Sequence, residues 1–242
     1  MMPWLLLLLL LQARASYDVD VSSLAVSPPQ LVCQLDMNVL KGDVRRMSWS
    51  PDGLYLHVQT LDRDGARDYI VGLEDKEVSL AFGEPEWASA YWTRKSDLAA
   101  PGDPALKIEV IEKHQRTRPA PFAGGFGAGG AQTVDQRNPN DTFAIEVSLK
   151  LLGEEVGYFL NDVAYGGITY GWGPSGSGAI VFADSRGRLS FFDRQKHKKT
   201  VPGTKDALLP AWSPDGTHVA FLRRDSRRIY RVMVTSVSRA SS

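Results

Sequence analysis

Hydrophobic and polar residues alternate with a period of two in several short segments of the chain. Leu54, Leu56 and Val58 alternate with polar residues, as do Val219 and Phe221 near the C-terminus. Other strand-like segments lie at residues 68–71, 106–111, 179–182, 189–192 and 229–234. The one helix-like stretch, residues 148–158, is also compatible with a loop. Short strands at roughly 8–12-residue spacing predict an all-β fold.

A turn sequence precedes two of these strands almost letter for letter. Trp-Ser-Pro-Asp-Gly occupies residues 49–53 and again residues 212–216. Proline presets the turn, aspartate accepts hydrogen bonds from its own backbone, and glycine supplies a positive φ. We therefore expect a positive φ at Gly53 and Gly216, and we expect Gly216→Val to destabilise the fold by about 1–3 kcal/mol.

Three degenerate copies of this turn lie between the two clear ones. They are anchored at Trp87, Arg137 and Trp172, so the five anchors are spaced by 38, 50, 35 and 40 residues. An irregular period near 40 residues is typical of propellers and solenoids with insertions in their loops.

Trp-Ser-Pro-Asp-Gly followed by an alternating strand resembles the TolB-type β-propeller repeat, also called the WD40-like PD40 repeat. The resemblance covers residues 49–242 and implies four-stranded antiparallel blades around a central channel. Five units predict about five blades, or six if the N-terminal segment forms most of a blade. The resemblance also implies that the anchor tryptophans pack between blades, and these are Trp49, Trp87, Trp172 and Trp212.

The last repeat unit is shorter than the others and lacks its outermost strand. Residues 31–35 are apolar, strand-like and otherwise unassigned. We therefore expect part of residues 17–48 to pair with the C-terminal unit and close the ring, because an unpaired outer edge invites aggregation. Cys33 is the only cysteine of the chain, so we expect it to be a small apolar packing residue.

Residues 1–15 have the features of a signal peptide. An apolar run at residues 4–11 is too short to span a bilayer, and Ala13-Arg14-Ala15 is a small-x-small cleavage site. Cleavage after Ala15 would leave an N-terminal segment at 16–48 and the repeats at 49–242, in a secreted or periplasmic chain. A buried N-terminal helix is the alternative. No other apolar run approaches membrane length, so we expect no stable membrane insertion.

The charges of the chain balance overall but not locally. The 28 Lys and Arg residues match 28 Asp and Glu residues, so the formal net charge is zero. Because no net positive charge draws the whole molecule to nucleic acid, we expect no nucleic-acid partner. The loops between second and third strands are predicted at residues 62–68, 94–107, 184–188 and 223–228, and they carry net charges of −1, +1, +1 and +3.

Such loops, converging at a channel mouth, would favour an anionic partner such as an acidic protein surface or a charged glycan. Solvated hairpin tips are the alternative. The candidate partner-binding residues are Arg186, Arg188, Arg223, Arg224, Arg227 and Arg228.

Motifs for catalysis, metals and cofactors are weak. Residues 173–178 contain serine between glycines, but not at the Gly-x-Ser-x-Gly spacing of the hydrolase elbow. The four histidines show no metal-ligand spacing, so we expect no metal or cofactor. We interpret the chain as a non-catalytic binding or scaffold propeller for protein–protein interaction. The alternatives are a hydrolase-type enzyme with its site at the channel mouth and a propeller subunit of a larger envelope assembly.

Overall fold

The computed structural model describes residues 18–96, 98–118, 142–161, 170–184, 186–226 and 228–239. In this part of the chain, antiparallel strands form four sheets that are the blades of a propeller. The all-β propeller fold is confirmed. The predictions of five or six blades are wrong, because the ring has four. The predicted signal peptide at residues 1–15 lies outside the described residues.

Blade 1 follows the predicted repeat closely. Its strands are β3 (Asp43–Trp49), β4 (Tyr55–Asp62), β5 (Gly65–Gly72) and β6 (Val78–Leu80). The Ser-Pro-Asp-Gly turn joins β3 to β4. Leu56 and Val58 are fully buried on one face of β4, as their alternation predicts, whereas His57 is buried on the other face.

The Ser-Pro-Asp-Gly turns have the backbone conformation that their residues predict. Gly53 has φ +74° and Gly216 has φ +78°, so the expectation of positive φ is confirmed. In the first turn the Gly53 N–H donates to the Ser50 carbonyl over 3.0 Å, and the Leu54 N–H donates to Oδ1 of Asp52 over 3.0 Å. In the second turn, the Gly216 N–H donates to the Ser213 carbonyl and the Thr217 N–H donates to Oδ1 of Asp215.

Blade 2 combines two of the predicted repeat units. Its strands are β7 (Ala99–Ala100), β8 (Asp103–Arg118), β9 (Thr142–Leu151) and β10 (Glu154–Asn161). The anchor predicted at Trp87 lies instead in the helix α2 (Glu86–Ser96), which begins just after Pro85. The anchor predicted at Arg137 lies outside the described residues, and β9 is the third strand of the same blade.

This combination removes one blade from the predicted count. Proline is well tolerated before the first turn of a helix, because the first N–H groups have no partner within the helix. Residues 148–158 form most of the β9–β10 hairpin, so neither the helix nor the loop that the sequence suggested is correct.

Blade 3 is buried on both faces. Its strands are β11 (Tyr170–Trp172), β12 (Ala179–Ala183), β13 (Leu189–Asp193) and β14 (Lys198–Thr200). Every residue of β12 and of β13 is buried. Strands covered on both sides read as continuous apolar runs, which is how Ala-Ile-Val-Phe-Ala appears in the sequence.

Blade 4 is built from both ends of the described chain. Its strands are β15 (Ala207–Trp212), β16 (His218–Arg224) and β17 (Ile229–Arg239), with β1 (Leu24–Val26) and β2 (Gln30–Asp36) along the outer edge of β17. Both N-terminal strands pair with β17 antiparallel, for example Leu35 with Tyr230. Residues 24–36 therefore supply the outer strand that the last unit lacks. Cys33 lies on β2, half-buried, and packs against the core between blades 4 and 1.

The N-terminal segment also contacts blade 3 before it reaches blade 4. A short 3-10 helix (Val21–Ser23) precedes β1, and a four-residue helix α1 (Met37–Leu40) follows β2. Val19, Val21 and Leu24 are buried in the core between blades 3 and 4. The Val19 N–H donates to the Ser177 carbonyl over 2.9 Å. This segment therefore fastens the two blades together.

Apolar cores join three pairs of neighbouring blades. One lies between blades 2 and 3, one between blades 3 and 4, and one between blades 4 and 1. Between blades 1 and 2 the described residues form no such core. There α2 packs on the face of blade 1 that carries Ser48 and His57, with the Trp87 ring edge-on to His57 at 6.0 Å between ring centres.

Candidate functional site

A cavity of about 370 Å³ lies where the inner ends of the blades meet, on the face that carries the Ser-Pro-Asp-Gly turns. We call it the turn-face pocket. All four blades contribute to its wall, and α2 adds Tyr91. The other lining residues are Trp49, Ala99, Ala100, Pro101, Trp172, Gly173, Pro174, Ser175, Trp212, Ser213 and Pro214.

Three of the anchor tryptophans form part of this wall and pack between blades, as predicted. Trp49, Trp172 and Trp212 end β3, β11 and β15, and each is more than nine-tenths buried. The fourth, Trp87, is only half-buried on α2, so its assignment as a repeat anchor is wrong.

The indole N–H groups of these tryptophans differ in their partners. Trp49 donates to the Ala211 carbonyl over 2.8 Å, and Trp212 donates to the Gly216 carbonyl over 3.0 Å. The buried Nε1 of Trp172 has no acceptor among the residues that the structure describes. A buried donor without a partner is uncommon in a folded protein and calls for an explanation.

The chemistry of the pocket wall is apolar and nearly uncharged. Among the described residues that line it, Tyr91 is the only one with an ionisable side chain. The volume is at the lower end of the 300–1,000 Å³ that is typical of small-molecule sites. The wall therefore suits an uncharged group that brings apolar surface and a hydrogen-bond acceptor.

The arginines selected from the sequence lie on blades 3 and 4. Arg186 and Arg188 belong to the β12–β13 connection, Arg223 and Arg224 end β16, and Arg228 directly precedes β17. Arg227 lies outside the described residues.

Backbone hydrogen bonds connect each of the two arginine-bearing loops to residues 206–207, at the start of β15. The Ala207 N–H donates to the Gly187 carbonyl over 2.8 Å, and the Arg224 N–H donates to the Asp206 carbonyl over 3.3 Å. The structure thus brings arginines of both blades to one end of the ring, which we call the arginine face.

Carboxylates pair with part of this positive charge. Nη2 of Arg188 lies 2.8 Å from Oδ2 of Asp184, and Nε of Arg223 lies 3.7 Å from Oδ1 of Asp225. Burial opposes ionisation of Asp184, but hydrogen bonds from Arg188 outweigh this effect and lower the pKa of the carboxyl group. The net loop charges of +1 and +3 already include these two aspartates, so the ion pairs show which arginines are neutralised.

The predicted loop at residues 94–107 is not a loop between second and third strands. Its first residues end α2, and the remainder contains β7 and the start of β8. The true connection of this kind in blade 2 joins β8 to β9, and residues 119–141 lie outside the described part of the chain.

Two polar clusters were not predicted from the sequence. In blade 1, Nε2 of His57 lies 2.8 Å from Oδ1 of Asp68, and both side chains are buried. The other cluster joins Asp20 of the N-terminal segment to Asp193 and His197 of blade 3. The spacing of Asp193 and His197 was visible in the sequence, but Asp20 is too distant along the chain to be associated with them.

Comparisons with known proteins give only distant structural matches. No family model and no curated protein matches it. TolB from Acinetobacter baumannii is 14% identical, and the match covers 83% of this chain and 44% of that one, with a TM-score of 0.27. A putative TolB from Agrobacterium tumefaciens is 13% identical, covering 91% of this chain and 71% of that one, with a TM-score of 0.25.

The propeller of Dos1 is 9% identical over 78% of this chain and 41% of its own, with a TM-score of 0.24. This chain therefore spans less than half the length of two of these three structures. At such scores the likeness carries no argument about ligands or partners. On its own geometry, the described chain is a β-propeller of four blades, two of which carry Ser-Pro-Asp-Gly turns.

Proposed function

We propose that the chain is a non-catalytic binding propeller, and that a protein partner inserts an uncharged segment into the turn-face pocket. The observation that carries this proposal is the convergence of Trp49, Trp172 and Trp212 with three turn prolines around one cavity. Tryptophan and tyrosine are enriched among the residues that dominate binding energy at protein interfaces.

The charge of the pocket wall supports an apolar segment as the occupant. An ionised side chain buried there would lose its hydration and find no opposite charge among the described lining residues. A backbone carbonyl of the partner would instead offer an acceptor where the Trp172 indole lacks one. A cavity of about 370 Å³ admits only a short segment, so the surrounding turns would form the rim of the interface.

The test places a long charged side chain at the mouth of the pocket. Ser175 is exposed and lines the cavity, so Ser175→Arg should obstruct it without disturbing the core. Ser79→Arg is the matched control, because Ser79 is exposed on β6, the last strand of blade 1, away from both candidate faces.

The partner would first be identified by cross-linking in native extracts and then purified. We expect Ser175→Arg to weaken its binding at least tenfold, whereas Ser79→Arg leaves binding unchanged. Equal affinity of the wild type and Ser175→Arg would contradict the proposal.

A second candidate is an anionic partner on the arginine face. The backbone bonds that connect the loops of blades 3 and 4 to residues 206–207 favour it, because they hold exposed arginines at one end of the ring. The test replaces Arg223, Arg224, Arg227 and Arg228 with serine and measures partner binding against salt concentration. Binding that neither weakens nor loses salt dependence would exclude this face.

The proposal also places the chain outside the cytoplasm, secreted or periplasmic. Its support is the apolar run at residues 4–11 and the small residues around Ala15. No helix in the described part of the chain is long and apolar enough to cross a membrane. Expression with the native N-terminus followed by N-terminal sequencing should give Ser16 as the first residue. An intact Met1 in the exported fraction would contradict cleavage.

A further inference from the structure

Three side chains with metal-ligand chemistry meet at the contact between the N-terminal segment and blade 3. Nδ1 of His197 lies 3.0 Å from Oδ1 of Asp20 and 3.1 Å from Oδ2 of Asp193. The three ligand atoms all lie within 4.8 Å of one another. Asp20 precedes the 3-10 helix, whereas Asp193 and His197 flank the β13–β14 turn. The fold, not local sequence, creates this cluster.

The cluster is rich in carboxylates. It holds two of them, and the Asp193 side chain is fully buried. The side-chain hydroxyl and the backbone N–H of Ser22 donate to Oδ1 of Asp20 over 2.6 and 2.9 Å. In the described part of the chain, His197 is the only basic residue with an ion pair to either carboxylate.

Nearby cationic side chains have other partners. Lys199 donates to the carbonyls of Ser22 and Leu24. Arg194 pairs with Asp103 at 2.6 Å and with Asp18 at 3.6 Å.

The backbone N–H groups of Val21 and His197 donate to the Asp193 carboxylate over 2.9 and 2.8 Å, but these bonds do not neutralise its charge. Nδ1 of His197 carries at most one proton, and Asp20 and Asp193 both lie within hydrogen-bond distance of it.

A small divalent cation needs only a small adjustment of the observed spacing. Zinc binds histidine nitrogen and carboxylate oxygen at about 2.0–2.2 Å, so two ligand atoms of a tetrahedral site lie about 3.3–3.6 Å apart. The two distances from Nδ1 are a few tenths of an ångström shorter than that range, so the ligands would move slightly apart around the ion. The side chains of Asp20 and His197 are about half exposed, which leaves room for water on the open side.

We propose that Asp20, Asp193 and His197 bind one divalent cation of the zinc type, which fastens the N-terminal segment to blade 3. The ion would replace the proton on Nδ1 of His197 and offset the second carboxylate. Because residues 24–36 form the outer strand of blade 4, the ion would also stabilise the closure of the ring. The competing explanation is a cluster held by hydrogen bonds alone.

The test measures zinc binding to the full chain by calorimetry after metal is removed with a chelator. We expect one equivalent to bind the wild type. Asp20→Asn and His197→Gln should each weaken that binding at least tenfold. Asparagine caps a helix as well as aspartate does, so Asp20→Asn removes the ligand charge while keeping the cap. Asp18→Asn is the matched control and should bind as the wild type does.

A second measurement does not depend on the stability of any variant. On addition of zinc, the ¹⁵N resonance of Nδ1 of His197 should shift to the position of a metal-bound nitrogen, and the melting temperature of the wild type should rise by mass action. The proposal is overturned if the wild type binds no zinc or if Asp20→Asn and His197→Gln bind it with unchanged affinity. An unshifted Nδ1 resonance at saturating zinc would also overturn it.

Discussion

Alanine substitution of the two turn glycines should have unequal effects, although the two turns have nearly the same sequence and backbone. A β-carbon built on Gly53 has no atom within 4 Å, whereas one built on Gly216 lies 2.9 Å from Cγ of Pro174. Pro174 belongs to the turn of blade 3, so the second contact crosses between blades. Comparing the alanine variants of Gly53 and Gly216 therefore separates the free-energy cost of backbone strain from that of overpacking.

The magnitudes follow from these two terms. A residue other than glycine at positive φ costs about 1–2 kcal/mol, and this is the whole cost expected for Gly53→Ala. Overpacking adds about 1–3 kcal/mol, so Gly216→Ala should be the more damaging by that amount, because a proline ring has little freedom to move. In a chain of this size each kcal/mol lowers the melting temperature by about 2–4 °C.

Urea unfolding followed by tryptophan fluorescence measures both free energies of unfolding. The double variant Gly216→Ala/Pro174→Ala should recover at least about 0.5 kcal/mol relative to the sum of the single variants, because the clashing ring is gone. Equal costs for the two single variants would show that the contact with Pro174 does not determine the difference. Negligible costs for both would refute the positive φ itself.

Three further predictions concern other parts of the fold. Leu35 is 1% exposed on the outer strand of blade 4, so Leu35→Ala should lower the free energy of unfolding in urea by about 2–5 kcal/mol. It should also speed the hydrogen exchange of the backbone amides along β17. Unchanged exchange would show that β2 does not protect that edge. Burial raises the pKa of Cys33 to about 11, so iodoacetamide at pH 8 should alkylate it more slowly in the folded chain than in urea, and equal rates would contradict that burial. Burial opposes ionisation of Asp215, but hydrogen bonds from Ser213 and Thr217 outweigh it and lower the pKa. Its stabilisation is therefore complete above the unfolded value of about 3.9 and lost as pH falls through the lower folded value. The urea midpoint of Asp215→Asn should fall less steeply below pH 4 than that of the wild type, and parallel curves would contradict the argument.

The blade count was mispredicted because one helix was mistaken for a repeat turn. Pro-Glu-Trp at residues 85–87 matches the start of a degenerate unit, but the following residues have helical spacing. Trp87 and Tyr91 are four residues apart, as are Ala88 and Trp92, and α2 buries the second pair more deeply than the first. The two nearly perfect turns could be predicted because their geometry is local. The number of blades depends on which strands share a sheet, and that is not local.

Less of the candidate site than of the fold could be predicted from the sequence. The anchor tryptophans were found, but not their convergence on one cavity, since the four blades contribute lining residues from about position 49 to 214. Similarly, the number of arginines in a loop does not reveal that Asp184 and Asp225 pair with some of them. The contact between Asp20 and His197 exists only because the N-terminal segment returns to blade 3.

The pocket acquires its unusual features where the ring departs from its own repeat. Trp49 donates its indole proton to the inner strand of the preceding blade, at Ala211 on β15. The inner strand that precedes Trp172 is β7, which has only two residues, and the Trp172 indole has no acceptor among the described residues. In blade 2, no tryptophan ends the inner strand β7, and Tyr91 of α2 lines the pocket instead. A residue that follows the repeat is needed for the packing of the blades. The two departures instead leave the Trp172 indole N–H without an acceptor among the described residues and place the Tyr91 side chain in the pocket wall. These departures lie in the same pocket as the three tryptophans and the turn prolines, and together they lead us to assign binding to this end of the ring.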